Sequence, residues 1–298
     1  MSDLAPIVLF VYNRINHTKR TLEALKKNKL ADKSQLFIFS DGSKNTADIE
    51  KVRSVRKYIQ NIDGFKKIQV IERNRNIGLA ESIISGVTEI VNLYGKIIVL
   101  EDDLETSPYF LTYMNEGIKL YKDNPKVASI HGYIYPITGL PESFFIRGAD
   151  CWGWATWSSS WRIFEKDGKK LFHELISKNL QKEADFNNSY EYTKMLKDQI
   201  NGKNNSWAVR WYMSAFLKDK LSLYPGKSYV QNIGHDIDAT HCTTETDLFN
   251  IDLNKEFRLS KINVNEDMHN KLKMEKYFNK IRPSTMQKIK SKFVNFLK

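Results

Sequence analysis

The stretch Lys96-Ile97-Ile98-Val99-Leu100-Glu101-Asp102-Asp103-Leu104 constrains the fold more than any other part of the chain. Its apolar run, mostly β-branched, is the pattern of a strand buried on both faces, as in the middle of a parallel sheet. It leads straight into three consecutive carboxylates. Adjacent acids repel one another and lose hydration when packed, so they persist where a cation or hydrogen-bond donors occupy the site. In open α/β sheets the carboxyl ends of the strands are where ligands bind. Hard oxygens of this kind suit magnesium or manganese, which take one or two protein carboxylates and complete their shell with phosphate oxygens and water.

Three similar units precede this one. Ile7–Tyr12 reads as a buried strand, followed by the polar turn Asn13-Arg14-Ile15-Asn16 and a helix from His17 or Thr18 to about Lys27. Leu36–Ser40 is a second strand, ending in the turn Asp41-Gly42-Ser43, and a basic helix follows from about Asp48 to Asn61. Lys67–Glu72 is a third, running through Asn74-Arg75-Asn76-Ile77-Gly78 into a helix that ends near Tyr94. Strand–helix alternation at this spacing predicts a parallel, doubly wound sheet with the acid-bearing strand fourth. Ser107-Pro108 predicts a further helix, with serine as its cap and proline in its first position. Beyond residue 125 the alternation gives way to an aromatic-rich α+β pattern. Short strands are expected at Val127–His131, Phe144–Arg147 and Ser228–Asn232, and helices near Ala155–Phe164, Tyr190–Gln199 and Trp207–Lys218.

On a parallel sheet the ends of the first four strands meet at one edge. There they bring together Val11–Arg14, Ser40–Gly42, Arg75–Gly78 and Glu101–Asp103. An acid able to accept from a nucleobase N–H, an Asn/Gly turn at a helix start and a cation-binding acid cluster together describe a nucleotide diphosphate site. No P-loop follows any strand, and no G-x-G-x-x-G follows the first, which argues against kinases, ATPases and dehydrogenases.

These motifs resemble those of nucleotide-sugar glycosyltransferases of the GT-A fold, family 2-like, and the Glu-Asp-Asp form is similar to that of N-acetylglucosaminyltransferases. The second half adds Cys151-Trp152-Gly153-Trp154-Ala155-Thr156-Trp157, Asn205–Trp211, Gln231–Asp236 and Thr240-His241-Cys242, similar to bacterial transferases of surface-polysaccharide synthesis. The resemblance covers about residues 5–245. It implies an α/β, Rossmann-like, mostly parallel sheet flanked by helices, an α+β acceptor-side half and a basic C-terminal helical tail. The expected division is 1–125 for nucleotide-sugar binding, 126–250 for acceptor binding and catalysis within the same compact domain, and 251–298 for the tail.

The resemblance implies a metal-dependent, inverting hexosyl transfer from a UDP-sugar to a glycan or lipid-linked acceptor, with Mn2+ or Mg2+ as cofactor. Asp41 is expected at the base, Asp102 at the ribose, Glu101 at the donor sugar and Asp103 at the metal, with Tyr12, Arg14, Asn76 and Gly78 completing the donor site. His241 is a candidate third metal ligand or phosphate donor. Trp152 and Trp154 are the tryptophans expected to face the acceptor, against the alternative that they are simply core. Related inverting enzymes carry an Asp after the tryptophan that matches Trp207; here Ala208 stands there. The remaining candidates for general base are Asp150 and Asp236, each of which has the ordinary reading of a loop acid.

Two cysteines, Cys151 and Cys242, make no disulfide framework, and no paired spacing supports a zinc site with His235 and His241. With no secretory signal expected at the N-terminus, the cytoplasm, at the inner face of a membrane, is the predicted location. The net charge is +11, and between Asn270 and Lys298 nine lysines and arginines stand against Glu275 alone. A nucleic-acid protein spreads its basic residues over a folded face. A basic tail in which Ile289, Phe293, Phe296 and Leu297 fall on one helical face suits an anionic membrane surface instead. Rival readings are a nucleotidyltransferase that makes a nucleotide sugar, which the Tyr12–Ile15 turn disfavours, and a non-catalytic carbohydrate-binding module, which Ala208 favours and the acid cluster opposes.

Overall fold

The computed structural model describes residues 4–234 and 247–282. Asp236, His241 and the tail from Pro283 onward, with its expected membrane-facing helix, lie outside the described residues.

Strands β1 (Ile7–Val11), β2 (Gln35–Ser40), β3 (Lys67–Glu72) and β4 (Lys96–Glu101) alternate with helices α1 (Ile15–Lys26), α2 (Ile49–Ile59) and α3 (Leu79–Tyr94). The strands are parallel in the spatial order β3-β2-β1-β4, so the chain reverses direction across the sheet between β1 and β4. Such a reversal opens a crevice at the strands' carboxyl ends. Every residue of β1 is buried. Its side chains alternate between the two faces as a pleated strand requires. Ile7, Leu9 and Val11 pack in one core with Leu22, Leu25 and Val55 from α1 and α2. Val8 and Phe10 pack in the other with Phe39, Ile83 and Val87.

The rest of the described chain forms β5 (Leu104–Thr106), α4 (Phe110–Tyr121), β6 (Val127–His131), β7 (Ser143–Arg147), β8 (Trp154–Trp157) and α5 (Ser158–Trp161). There follow α6 (Gly168–Ser177), α7 (Gln181–Ala184), α8 (Tyr192–Ile200), α9 (Trp207–Leu217), β9 (Leu221–Pro225), β10 (Val230–Asn232) and α10 (Met268–Ile281). One sheet of eight strands results, in the order β3-β2-β1-β4-β8-β6-β9-β7, with β8 and β7 running against the others. This is the mostly parallel, helix-flanked α/β sheet expected from the sequence. Strands β5 and β10 form a separate antiparallel pair that ties the acid turn to the second half of the chain.

Two local expectations are corrected. The helix predicted over Ala155–Phe164 is instead β8 followed by the single turn α5. Strand pairing decides this, because β4 and β6 both offer an edge to Trp154–Trp157. Helix α4 starts at Phe110 rather than Pro108. Ser107 makes a turn just ahead of it, its hydroxyl accepting from Tyr109 N–H at 3.1 Å. Strand β9 and helix α6 were not anticipated from the sequence.

Candidate active site

The crevice between the two halves is a cavity of about 800 Å³. Tyr12, Arg14, Asp41, Asn76, Gly78, Glu101, Asp102 and Asp103 line it on the side of β1–β4, and Asp150 and Trp152 line it opposite. Ten sequence-predicted residues, drawn from five separate segments, thus share one wall-to-wall space.

On the parallel side Arg14 holds two of the three acids. Arg14, just past β1, donates from Nη2 to Asp102 Oδ1 at 2.6 Å and to Asp103 Oδ2 at 2.8 Å. Burial works against the guanidinium charge, but Asp102 and Asp103 more than offset it and raise its pKa. Removal from water raises Asp102 against the pull of Arg14. Glu101 is pushed up to about 8, by desolvation first and then by Asp103 and Asp102. The mutual repulsion of these carboxyls contributes to both shifts, and a positive ligand would relieve it. Thr21 of α1 donates to the Asp102 carbonyl at 2.8 Å and fixes the turn from below.

Asp41 has a different task. Its carboxylate accepts from Gly42 N–H at 2.9 Å, from Gly78 N–H at 2.9 Å and from Ile77 N–H at 3.1 Å. Gly78, at φ +80°, is the N-cap of α3 and takes a backbone conformation that glycine adopts without strain. Asn76 donates to the Gly42 carbonyl at 2.8 Å and closes the same junction. Tyr12 donates to Asp48 at 3.0 Å and accepts from Lys44 N–H at 2.9 Å, which fixes the loop after β2.

The opposite wall is aromatic. Trp152 meets Tyr133 edge-on at 4.7 Å and Phe249 at 5.7 Å. Tyr192 stacks on Tyr212 at 3.9 Å, and Tyr135, Tyr190 and Met195 extend the lining. Asp150 accepts from Cys151 N–H at 2.8 Å and from the Tyr224 hydroxyl at 3.4 Å. Burial, with the Asp150 charge adding to it, lifts the pKa of Tyr135, Tyr192 and Tyr224, which therefore stay protonated and can donate. Ala208 also reaches the cavity, so this position lies in the site but supplies no carboxylate.

Trp154 is corrected. It has no exposed surface and does not line the cavity; it stacks on Trp207 at 5.6 Å and lies beside Trp161 and Trp211. Two residues apart on a regular strand, Trp152 and Trp154 would share a face. Gly153, at φ +64°, breaks that alternation and sends them to opposite sides of the sheet. The tyrosines at 135, 190, 192 and 212 were missed by sequence reasoning. The one signal they carry is the pair Tyr190 and Tyr192, which looks the same as an ordinary helix start.

The model of the family described as glycosyl transferase family 2 matches residues 7–171, more than half of the chain. The chain belongs to glycosyl transferase family 2. Its helix-flanked, mostly parallel sheet is the GT-A type of fold expected from the sequence, and membership of this family argues against the nucleotidyltransferase reading. Similar solved structures include the mannosyltransferase PcManGT from Pyrobaculum calidifontis in complex with GDP-Man and Mn2+, at 14% identity and TM-score 0.33, covering 45% of this chain and 38% of that one. Another is S. aureus TarS 1-349, at 10% identity and TM-score 0.42, covering 76% of this chain and 59% of that one. The chain therefore spans less than two thirds of either protein's solved length. No curated protein matches it.

Among the described residues no group of three or more His, Cys, Asp or Glu side chains forms a metal cage. A magnesium or manganese ion that takes one or two carboxylates and completes its shell from a diphosphate and water needs none. Arg14 Nη2 already stands as a positive group between oxygens of Asp102 and Asp103, so the donor set fits such an ion. None of the helices among the described residues is long and apolar enough to cross a membrane.

Proposed function

We propose that this family 2 glycosyltransferase moves a hexosyl group from a UDP-sugar, with manganese or magnesium, to a glycan or lipid-linked acceptor of bacterial surface-polysaccharide synthesis, with inversion. The observation that carries this reading is the single cavity that faces the acid turn on one side and the Asp150–Trp152 wall on the other. Residues 1–125 then serve mainly the donor, and 126–250 the acceptor.

A carboxylate has about four acceptor sites, and three backbone N–H groups occupy Asp41, which leaves capacity for one base N–H. Asp102 takes the ribose and Glu101 the donor sugar. Asp103 would hold the metal, which when bound supplies positive charge to the leaving diphosphate. Arg14 orients both aspartates and adds its own charge at the same edge. Asp150 is the base of choice because it lines the cavity and faces the aromatic wall on which a sugar ring can stack. The acceptor O–H bond breaks and its proton passes to Asp150. The acceptor oxygen then bonds to the anomeric carbon on the face opposite the diphosphate, whose bond to that carbon breaks with its electron pair.

The direct test is hydrolysis of a panel of UDP-sugars with manganese and with EDTA. Release of UDP that requires the metal supports the reading; release that is unaffected by EDTA contradicts the metal's role. The basic tail is assigned to an anionic membrane surface at the cytoplasmic face. Full-length protein is expected to sediment with anionic vesicles at low salt and to lose this at high salt, whereas equal sedimentation after truncation at Arg282 contradicts the assignment.

A further inference from the structure

His131 ends β6 without exposed surface, and neither of its ring nitrogens has a hydrogen-bond partner within ordinary range. Buried polar groups of folded proteins are nearly always paired, so an imidazole left this way in the middle of a sheet needs an explanation. Its Nε2 stands 3.5 Å from Asp150 Oδ2. Burial lowers the imidazole pKa against the opposing pull of Asp150, so the ring is neutral and carries one N–H and one bare nitrogen. Tyr224 packs against the ring at 4.8 Å and 66°, and its hydroxyl points to the same Oδ2 at 3.4 Å. The other oxygen, Oδ1, accepts from Cys151 N–H. The carboxylate is thus approached from β6, from β9 and from its own turn.

We infer that His131 is a positioning residue for Asp150: its Nε2–H and the Tyr224 hydroxyl hold Oδ2, and this turns the carboxylate toward the acceptor hydroxyl in the cavity. The inference rests on the reading of Asp150 as the base. His131 itself gains and loses no proton in the transfer. Its N–H stabilises the ionised carboxylate before the acceptor proton arrives, and the bond tightens as the acceptor seats. The titratable groups that face Asp150 are His131 from β6, Tyr224 from β9, Tyr192 from α8, Tyr212 from α9, Tyr133 and Tyr135 from the segment after β6, and the adjacent Cys151.

Two measurements on the full chain test this. The first is nitrogen-15 NMR of the histidine rings, which needs no donor. The expected result is a neutral His131 with the proton on Nε2 and with signals that move in Asp150→Asn. A proton on Nδ1, or signals indifferent to Asp150→Asn, overturns the inference. The second is hydrolysis of UDP-sugars with manganese, where water takes the place of the acceptor. His131→Phe is expected to lower kcat roughly tenfold or more with the donor KM little changed. The acid limb of its pH profile should move upward, because a carboxylate that loses an N–H donor holds its proton more tightly. His131→Gln, whose amide can reach the Nε2 position, should recover most of the loss. Wild-type kcat and an unmoved acid limb in His131→Phe overturn the inference. Full turnover in Asp150→Asn removes the base reading itself, whereas a collapse there with normal His131→Phe removes only the role of His131. If His131→Phe does not fold, the NMR result decides.

Discussion

The two walls of the cavity solve opposite physical problems. The β1–β4 wall concentrates charge: three acids in sequence, one arginine between two of them, and Asp41 held by three backbone N–H groups. The opposite wall, built from the segments around Tyr135 and Asp150–Trp152 and from the helices α8 and α9, carries tyrosines and tryptophan around one acid, Asp150. A diphosphate with its cation needs fixed charges and dipoles, whereas a sugar ring needs flat apolar faces and a few hydrogen bonds. On the proposed function, the comparison teaches that donor and acceptor would be recognised by different chemistry on one continuous sheet, and mutations should sort by wall.

The largest expected effect is on the acceptor wall. Asp150→Asn should lower turnover by roughly a hundredfold or more, as for lost proton transfer, with UDP affinity intact. Near-normal turnover would leave Ala208 without a substitute base and would break the division of labour between the walls.

The two tryptophans of the Trp152-Gly153-Trp154 turn sharpen it further. Trp154→Ala should cost about 3–5 kcal/mol of folding stability, since it empties a fully buried site among Trp161, Trp207 and Trp211. Trp152→Ala, at the cavity, should cost on the order of 1 kcal/mol while weakening acceptor use. Denaturant titration of both variants checks this, and equal losses would contradict the placement of Trp152.

Arg14→Met should cost about 2–3 kcal/mol, below the full value of a broken buried pair because Arg14 keeps 18% exposure. Manganese should then raise the melting temperature more in the variant than in the wild type, since the ion replaces the lost charge between the aspartates. A variant that is no less stable, or that gains nothing from manganese, argues against a cation site there.

The smallest effect concerns pH. His131 has a folded pKa below its usual 6.5, so the unfolded chain binds more protons beneath that value. Its contribution is therefore present above about pH 6.5 and is lost as pH falls through the folded pKa, at no more than about 1.4 kcal/mol per pH unit. His131→Phe should flatten that acid slope in chemical unfolding followed across pH. An unchanged slope would show that His131 charges freely in the fold.

Legibility in the sequence followed the same division. The β1–β4 wall was readable because each of its elements is local: β1 and β4 are apolar runs with acids or polar turns at their ends, and β3 was anticipated residue for residue. The acceptor wall is set by contacts between distant segments. Strand β8 is a strand because β4 and β6 flank it, and no local pattern around Ala155 distinguishes that from a helix. The separation of Trp152 from Trp154 depends on one backbone angle at Gly153. His131 looked like the last residue of a buried strand, and its approach to Asp150 requires the register of β6 beside β9.

Titration calorimetry of UDP against the wild type and Asp103→Ala, each with manganese and with EDTA, tests most directly whether the acid wall is a metal-assisted nucleotide site. The wild type should bind UDP tightly only with manganese, and Asp103→Ala should show the weak EDTA affinity under both conditions. Equal affinity in EDTA and manganese for the wild type would contradict the metal-dependent donor site.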